Sequence, residues 1–251
     1  MFELTGKKIL VVGASSGIGA AAARALSQLG AFVILAARRE EKLAALSAEI
    51  GEERALYRVL DVCDNGSIAP FFDEVVDLCG KLNGMVYTAG IVDDTPLRFI
   101  DHDRLLKTFE VNYFGFVECV RQFCVKKRYD PGARIVSVSS VASVIGEKAH
   151  TVYSASKAAM DATVRCLAKE LAGKGIALNT VQPGMISTDM TDGFLTKNGE
   201  QSEGYIRTMQ RQYLGMGQPE EVAALISFLM SSEARMLTGL SIPIDGGSVS
   251  S

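Results

Sequence analysis

The stretch of sequence that decides the fold is Ile9-Leu10-Val11-Val12-Gly13-Ala14-Ser15-Ser16-Gly17-Ile18-Gly19. Its first four residues are aliphatic and end at a glycine, which is typical of a short buried strand. Four consecutive alanines follow Gly19, and alanine is the residue that most favours a helix. Gly13 permits the tight turn between the two elements, and the later glycines let backbone amides approach a ligand. The stretch therefore predicts a strand, a turn and a helix whose N-terminus can bind a phosphate group.

The rest of the chain repeats this alternation of short apolar runs and longer helical stretches. The strand-like runs are residues 9–12, 32–36, 55–60, 85–87, 134–138, 176–181 and 240–244. The helical stretches include residues 19–29, 40–50 and 152–172. Apolar strands separated by helices indicate a parallel sheet covered on both faces. We therefore predict an α/β protein: a single Rossmann-type, doubly wound domain spanning residues 1–251, with a seven-stranded, mainly parallel sheet between two layers of helices.

One long segment, residues 188–217, lacks clear strand character. It is polar, contains glycine and follows the end of a predicted strand, which favours a lid or substrate loop. The alternative interpretation is a pair of surface helices that do not contact a ligand.

Composition excludes several classes of function. The net charge of −3, with lysines and arginines scattered, argues against a nucleic-acid-binding protein. No apolar run approaches the roughly 20 residues of a membrane-spanning helix, so we expect no membrane association. The five cysteines are odd in number and form no metal-like pair, which predicts a reduced cytoplasmic protein without a metal site.

The residues at the end of the second predicted strand indicate which nicotinamide cofactor is preferred. NAD-dependent enzymes place an acidic residue there, about 20 residues after the glycine turn, to bind the ribose hydroxyl. This chain instead has Ala36-Ala37-Arg38-Arg39. Two guanidinium groups can pair with a 2′-phosphate, so we predict that NADP(H) is preferred over NAD(H). Asp61 and Val62, after the third strand, are placed to meet the adenine.

A second group of residues predicts acid–base chemistry. Tyr153 and Lys157 are four residues apart in a helical stretch and therefore share one face. A tyrosine with an ordinary pKa near 10 is a poor catalyst at neutral pH, whereas a neighbouring ammonium and a cationic nicotinamide lower that pKa. Ser140, at the end of the fifth strand, can hydrogen-bond the same substrate oxygen. A tyrosine and a lysine four residues apart occur by chance in many proteins. Their position after the glycine turn and after Ser140 favours the catalytic interpretation.

Together the motifs resemble those of the short-chain dehydrogenase/reductase family over essentially the whole chain. The matches are GASSGIG from Gly13 to Gly19, Asn112 in VNYFG, SVSS ending at Ser140, YSASK from Tyr153 to Lys157, Pro183-Gly184 with Ile186 and Thr188, and Asp245-Gly246-Gly247. The resemblance implies an NADPH-dependent oxidoreductase that interconverts a ketone and a secondary alcohol, assembled as a homotetramer or a dimer.

The resemblance also implies roles for individual residues. Tyr153 would be the general acid/base, Lys157 would bind the nicotinamide ribose and lower the tyrosine pKa, and Ser140 would position the substrate. Asn112 would hold a water that links Lys157 to solvent. The remaining cofactor contacts would be Gly13, Ser15, Ser16, Gly17, Ile18, Gly19, Arg38, Arg39, Asp61, Val62, Ala89, Gly90, Pro183, Gly184, Ile186 and Thr188.

The chain departs from the family pattern at one motif. Tyr87-Thr88-Ala89-Gly90 stands where the family usually has Asn-Asn-Ala-Gly. We expect a rearranged hydrogen-bond network and retained activity. His150, three residues before Tyr153, is interpreted as an exposed loop residue.

The substrate is left open by the sequence. The leading class is a 3-oxoacyl thioester on acyl carrier protein, because related reductases have bases near residues 126–128 and near Lys174 that meet the acidic carrier. The alternatives are a free ketone, sterol or sugar as substrate, and a non-catalytic dinucleotide-binding or scaffold module. The last is disfavoured because a binding module has no need of Asn112, Ser140, Tyr153 and Lys157 together.

Overall fold

A computed structural model describes residues 2–191, 196–197, 200–201 and 203–250 of the chain. Its main sheet has seven strands, and a short antiparallel hairpin lies outside it. The strands are β1 (Lys8–Val12), β2 (Phe32–Ala37), β3 (Ala55–Val59), β4 (Leu82–Tyr87), β5 (Tyr129–Val138), β6 (Ala177–Pro183), the hairpin strands β7 (Thr196–Lys197) and β8 (Glu200–Gln201), and β9 (Ser241–Ile244).

The order of strands in the main sheet is β3-β2-β1-β4-β5-β6-β9, and every neighbouring pair is parallel. The chain winds outward from β1 to β3 and then crosses back to place β4 on the other side of β1. In open α/β sheets, ligands bind at such a switch point, outside the carboxyl ends of the strands. The predicted doubly wound fold with a seven-stranded parallel sheet is therefore confirmed.

Helices cover both faces of the sheet. They are α1 (Gly17–Gln28), α2 (Glu40–Ile50), α3 (Asn65–Cys79), α4 (His102–Phe109), α5 (Gly115–Phe123), α6 (Thr151–Ala172), α7 (Glu203–Arg211) and α8 (Pro219–Met230). Alternate residues of β1 enter two separate hydrophobic clusters, because successive side chains of a strand point to opposite faces. Helices α1, α2 and α8 pack on one face, and α3, α5 and α6 pack on the other.

Helices α4 and α5 are joined by a π-helical turn, Glu110–Phe114, rather than by a loop. Such turns are rare and are frequently found at functional sites. Asn112 lies in this turn and is completely buried. The turn therefore places one of the residues singled out by the sequence at a local irregularity of the backbone.

The predicted lid segment is partly described. Residues 188–191, the hairpin, α7 and the chain up to Gly217 have structure, so this segment does contain two short strands. Residues 192–195, 198–199 and 202 lie outside the described residues. Within the described part of the chain, no helix is both long and apolar enough to cross a membrane.

Candidate active site

A cleft of ≈ 670 Å³ lies at the carboxyl ends of the strands, at the switch point. Its base is the turn between β1 and α1. Gly13 has φ 91° and Gly17 has φ 52°, a backbone conformation that favours glycine. A Cβ on Gly13 would lie 2.5 Å from the backbone nitrogen of Ala89, which shows how closely this turn packs on the segment after β4. The turn predicted from the first sequence motif is therefore present.

Arg39 is fixed over the glycine turn by two serine hydroxyls. Its Nη2 donates to Ser15 Oγ at 2.8 Å and to Ser16 Oγ at 2.6 Å, and its Nε donates to Ser15 Oγ at 3.1 Å. Arg38 also lines the cleft and is exposed. Two guanidinium groups and two hydroxyls thus surround one corner, which suits a phosphate group with several acceptor oxygens.

Tyr153, Lys157 and Ser140 meet at the other end of the same cleft. Lys157 is buried, and its Nζ donates to the carbonyl of Val138 at 2.9 Å while lying 5.8 Å from the centre of the Tyr153 ring. The Tyr153 side chain is hydrogen-bonded to Ser140. Ser140 Oγ also accepts from the backbone nitrogen of Ala142 at 3.1 Å, so its position is set by the turn that follows β5.

Burial has the largest effect on the pKa values of Lys157 and Tyr153. It lowers the pKa of Lys157 to about 8, with the carboxylate of Asp161 acting in the opposite direction. Burial also raises the pKa of Tyr153 above its ordinary value, and the hydrogen bond from Ser140 opposes that rise. The protein's own groups therefore keep Tyr153 protonated at neutral pH, and the expected lowering of its pKa stays a prediction for the enzyme with a cationic nicotinamide.

Asn112 lies behind the cleft rather than in its wall. Its side-chain nitrogen donates to the carbonyl of Ile91 and to Ser156 Oγ, both at 2.9 Å, and its oxygen accepts from the Ile91 nitrogen at 2.8 Å. A Cβ on Gly90 would lie 3.3 Å from both Asn112 Oδ1 and Lys157 Nζ. Asn112 thus joins the segment after β4 to α6 directly beside Lys157, with Gly90 leaving a narrow space at that point.

Tyr87 and Thr88 form the rearranged network that the sequence predicts. The buried Tyr87 hydroxyl donates to the carbonyl of Val111 at 2.6 Å, and Thr88 Oγ1 donates to the carbonyl of Val12 at 2.9 Å. The first bond ties β4 to the π-helical turn, and the second ties it to β1. Gly115 makes room for the tyrosine, since a Cβ there would lie 2.9 Å from its hydroxyl.

The structure brings nearly all of the predicted site residues into this one cleft. Those that line it are Gly13, Ser15, Ser16, Gly17, Ile18, Gly19, Arg38, Arg39, Asp61, Val62, Ala89, Gly90, Ser140, Tyr153, Lys157, Pro183, Gly184, Ile186 and Thr188. Asn112 is the exception, as described above. Among the described residues, no group of side chains is arranged to hold a metal ion.

The structure also adds residues to the cleft that sequence reasoning missed. His150 lies outside the helices and strands as predicted, but the predicted exposure is wrong: it is half-buried, lines the cleft and packs edge-on against the Tyr153 ring at 5.8 Å. Its backbone neighbour Ala149 has φ 66°, a strained conformation for a residue with a Cβ. Arg207 and Thr208 of α7 reach the cleft from the lid segment. Only the position of His150, three residues before Tyr153, gave a signal in the sequence.

A phosphate-binding turn and a Tyr–Lys–Ser group in one cleft of a doubly wound sheet define a class: nicotinamide-dependent oxidoreductases. Comparison with known proteins agrees. Residues 13–249 match the family model described as Enoyl-(Acyl carrier protein) reductase. The chain is 37% identical to the 3-oxoacyl-[acyl-carrier-protein] reductase FabG of Thermotoga maritima, over 98% of this chain and 99% of that protein. It is 34% identical to the FabG of Rickettsia conorii, over 98% of both chains.

Solved structures give the same result. A short chain dehydrogenase from Burkholderia cenocepacia in complex with NADP superposes with a TM-score of 0.90 at 30% identity, covering 98% of this chain and 99% of that one. A dehydrogenase/reductase from Sinorhizobium meliloti superposes with a TM-score of 0.90 at 31% identity, covering 98% and 96%. The chain belongs to the short-chain dehydrogenase/reductase family and is an NAD(P)-dependent oxidoreductase.

Proposed function

We propose that the protein reduces the ketone of a 3-oxoacyl thioester to a secondary alcohol with NADPH. The observation that carries the proposal is the position of Tyr153, hydrogen-bonded to Ser140 and beside Lys157, in the same cleft as the glycine turn and the two arginines. Proton-transfer groups and cofactor-binding groups therefore share one space. A non-catalytic dinucleotide-binding module would need only the second set.

Tyr153 supplies the proton in the proposed reaction. Because burial raises its pKa, the hydroxyl is protonated at neutral pH and can donate to the substrate oxygen. Ser140 hydrogen-bonds the same oxygen and fixes its direction. Lys157, held by the carbonyl of Val138, stabilises the negative charge left on Tyr153. NADPH, when bound, supplies the hydride that the carbonyl carbon accepts.

The shape and charge of the cleft fit NADPH. Gly90 leaves space beside Lys157 that a Cβ would reduce, and Gly17 does the same beside Thr188. At the opposite end Arg39, held by Ser15 and Ser16, presents donors to a 2′-phosphate. We assign Ala89, Pro183, Gly184 and Ile186 to the nicotinamide end of the same cofactor, and Asp61 and Val62 to its adenine.

The substrate class rests on the relatives named above. Three apolar residues that suit an acyl chain line the cleft: Met185, Met190 and Ile145. The family model carries the name of an enoyl reductase, so an enoyl thioester is the necessary second substrate in any assay. A free ketone, sterol or sugar is the competing substrate class.

The proposed docking of acyl carrier protein needs a correction at one residue. Arg128 is buried and donates to Asp73, to the carbonyl of Ala69 and to Gln122, so it is not available to an acidic carrier. Lys126, Lys127 and Lys174 are exposed. They precede β5 and β6 and therefore lie at the amino ends of the strands, about 20 Å from the cleft at ~3.3 Å per residue. A carrier docked there would serve the cleft of a neighbouring subunit.

Substitution of Tyr153 tests the proposed reaction. We expect Tyr153→Phe to lower kcat by about 10²- to 10⁴-fold, because the proton donor is lost, and to leave NADPH affinity within a few-fold. The measurement is NADPH oxidation with a 3-oxoacyl thioester, together with NADPH binding by fluorescence. The matched control is Tyr129→Phe, which removes a tyrosine hydroxyl outside the cleft. Unchanged kcat in Tyr153→Phe would contradict the mechanism.

A second experiment separates substrate from carrier. Lys126→Glu combined with Lys174→Glu should raise KM for the carrier-linked thioester and leave KM for the coenzyme A thioester of the same acyl group unchanged. Equal effects on both thioesters, or none, would remove the docking proposal while leaving the reductase proposal intact. Turnover of a free ketone, sterol or sugar with no turnover of either thioester would replace the substrate class.

We further propose a homotetramer, or a dimer, in the reducing cytoplasm. Exposed leucines on α4 and exposed apolar side chains near β9 support assembly, because single chains rarely leave such clusters uncovered. The exposed side chains are Leu105, Leu106, Phe114, Leu214, Met236 and Leu240. All five cysteines are unpaired, which suits a reducing compartment.

A further inference from the structure

Helix α6 carries a buried carboxylate that the mechanism above does not use. Asp161 lies four residues after Lys157 and eight after Tyr153, so the three side chains are on one face of the helix. At ~1.5 Å rise per residue, Asp161 is about 6 Å further along the axis than Lys157. It is only 4% exposed. A carboxylate this deeply buried is costly unless it is hydrogen-bonded and paired with a cation.

Hydrogen bonds satisfy only half of this carboxylate. Asp161 Oδ2 accepts from Gln182 Nε2 at 2.8 Å, whereas Oδ1 is buried and has no hydrogen-bond partner among the described residues. The same Gln182 nitrogen donates to Ser143 Oγ at 2.8 Å, and Ser143 Oγ donates to the carbonyl of Ser140 at 2.8 Å. Gln182 directly precedes the Pro183-Gly184 segment of the cleft.

These bonds connect the three segments that build the chemical end of the cleft. Asp161 belongs to the helix of Tyr153 and Lys157, Gln182 is the penultimate residue of β6, and Ser143 lies in the turn that begins at Ser140. The hydrogen bonds therefore fix the Ser140 turn relative to α6. They do not neutralise the charge on Asp161, because an amide and a hydroxyl carry none.

Lys157, one helical turn before Asp161 on α6, is the buried cation on which this carboxylate acts. The other groups packed around the lysine ammonium are the Tyr153 ring on the same helix, the carbonyl of Val138 on β5 and the amide of Asn112 in the π-helical turn. Gln182 and Ser143, from β6 and the Ser140 turn, are neutral. Burial favours the uncharged amine, while the charge on Asp161 opposes it. Asp161 is thus the one acid that acts on Lys157 within the described residues.

We propose that Asp161 is a positioning residue that acts through Lys157: its buried charge keeps the lysine in the ammonium form, and its bond to Gln182 holds the Ser140 turn against α6. This inference deepens the proposed function and rests on it. A carboxylate buried this deeply is costly to the folded protein, so its retention here is consistent with a task in the reaction.

The sign of the expected pH effect follows from the charge. Removing an anion lowers the pKa of a neighbouring cation, and Lys157 is the group on which Asp161 acts. Ketone reduction needs Tyr153 protonated and Lys157 charged, so activity is lost as the pH rises through either pKa. Loss of the Asp161 charge therefore moves the alkaline limb of the profile to lower pH.

The test is the pH dependence of kcat/KM for ketone reduction in Asp161→Asn. The amide oxygen can still accept from Gln182, so the substitution removes charge and retains the hydrogen bond. We expect the alkaline limb to shift down by about one pH unit. Asp161→Ser makes the same charge change in a smaller side chain and should shift the limb in the same direction, so the test does not depend on one variant folding. Glu170→Gln, at an exposed position on the same helix, is the control and should leave the limb in place.

The outcomes separate this inference from the proposed function. An alkaline limb in either folded Asp161 variant that coincides with wild type, or that moves to higher pH, would overturn the inference. A shift of equal size in Glu170→Gln would overturn it too, because the effect would then come from the net charge of the protein and not from Asp161. Absence of ketone turnover in the wild-type protein would instead contradict the proposed function.

Discussion

The buried side chain of Tyr87 joins two parts of the site. Its hydroxyl bonds the carbonyl of Val111 in the π-helical turn, next to Asn112. Burial raises the pKa of Tyr87 well above its ordinary value, so the hydroxyl remains a donor at any working pH. Its ring also packs edge-on against Phe116 at 5.5 Å. Tyr87 therefore stabilises the turn that carries Asn112, in place of the amide usual in this family.

Removing the Tyr87 hydroxyl should weaken that brace. We expect Tyr87→Phe to lower the free energy of unfolding by about 1–3 kcal/mol, because the buried Val111 carbonyl loses its donor. A fall in kcat of several-fold should accompany it, since Asn112 is less well fixed beside Lys157. Thermal unfolding and steady-state kinetics measure the two effects, with Tyr129→Phe as the control. A variant as stable and active as wild type would show that the bond does not matter.

Individual residues also show where sequence reasoning stops. The sequence predicts Arg128 to be a docking residue with its basic neighbours, yet Asp73, 55 positions earlier, holds it in the interior. His150 was interpreted as exposed, yet the fold turns it onto Tyr153. Local sequence gives the type of side chain and its spacing, whereas burial depends on partners distant in the chain. Asp161 and Gln182 escaped notice for the same reason.

Among the secondary-structure elements, the sequence predicts those that are formed by runs of buried apolar residues. The strands were recognised from their apolar runs, and the glycine turn from its spacing. The first residues of β4 and β5 were missed, because Asn83, Gly84 and the segment 130–132 lack strand propensity. Pairing between the two strands and the bonds of Asn83 to Lys8 and Asp130 hold them extended. The π-helical turn has no sequence signal comparable to a glycine or a proline.

In the proposed function, the β1–α1 turn and the end of β2 determine whether NADPH or NADH is preferred. Arg38→Asp should lower the ratio of kcat/KM for NADPH to that for NADH at least 10-fold, because a carboxylate repels the 2′-phosphate and accepts from the ribose hydroxyl. Arg54→Asp, on the surface after α2, is the control for net charge. An unchanged ratio in Arg38→Asp would remove Arg38 from the cofactor site.

At the scale of the molecule, the exposed apolar side chains on α4 mark a surface that another subunit can cover. Leu106 is 39% exposed on α4, and Leu78 is 54% exposed on a different helix, α3. We expect Leu106→Glu to give a smaller particle than wild type by light scattering after gel filtration, and Leu78→Glu to leave the mass unchanged. A wild-type protein that runs as a monomer would contradict the proposed assembly. It would also remove the neighbouring cleft that carrier docking requires.

In the proposed reaction, one cleft combines NADPH binding with proton donation to a ketone. The most direct test is the initial rate of NADPH and NADH oxidation by the purified protein with a 3-oxoacyl thioester, with an enoyl thioester of the same chain length as the comparison. We expect oxidation of NADPH with the 3-oxoacyl thioester, a higher kcat/KM than with NADH, and no turnover of the enoyl thioester. Turnover of the enoyl thioester alone, or none with any carbonyl substrate despite tight NADPH binding, would contradict the proposed reaction.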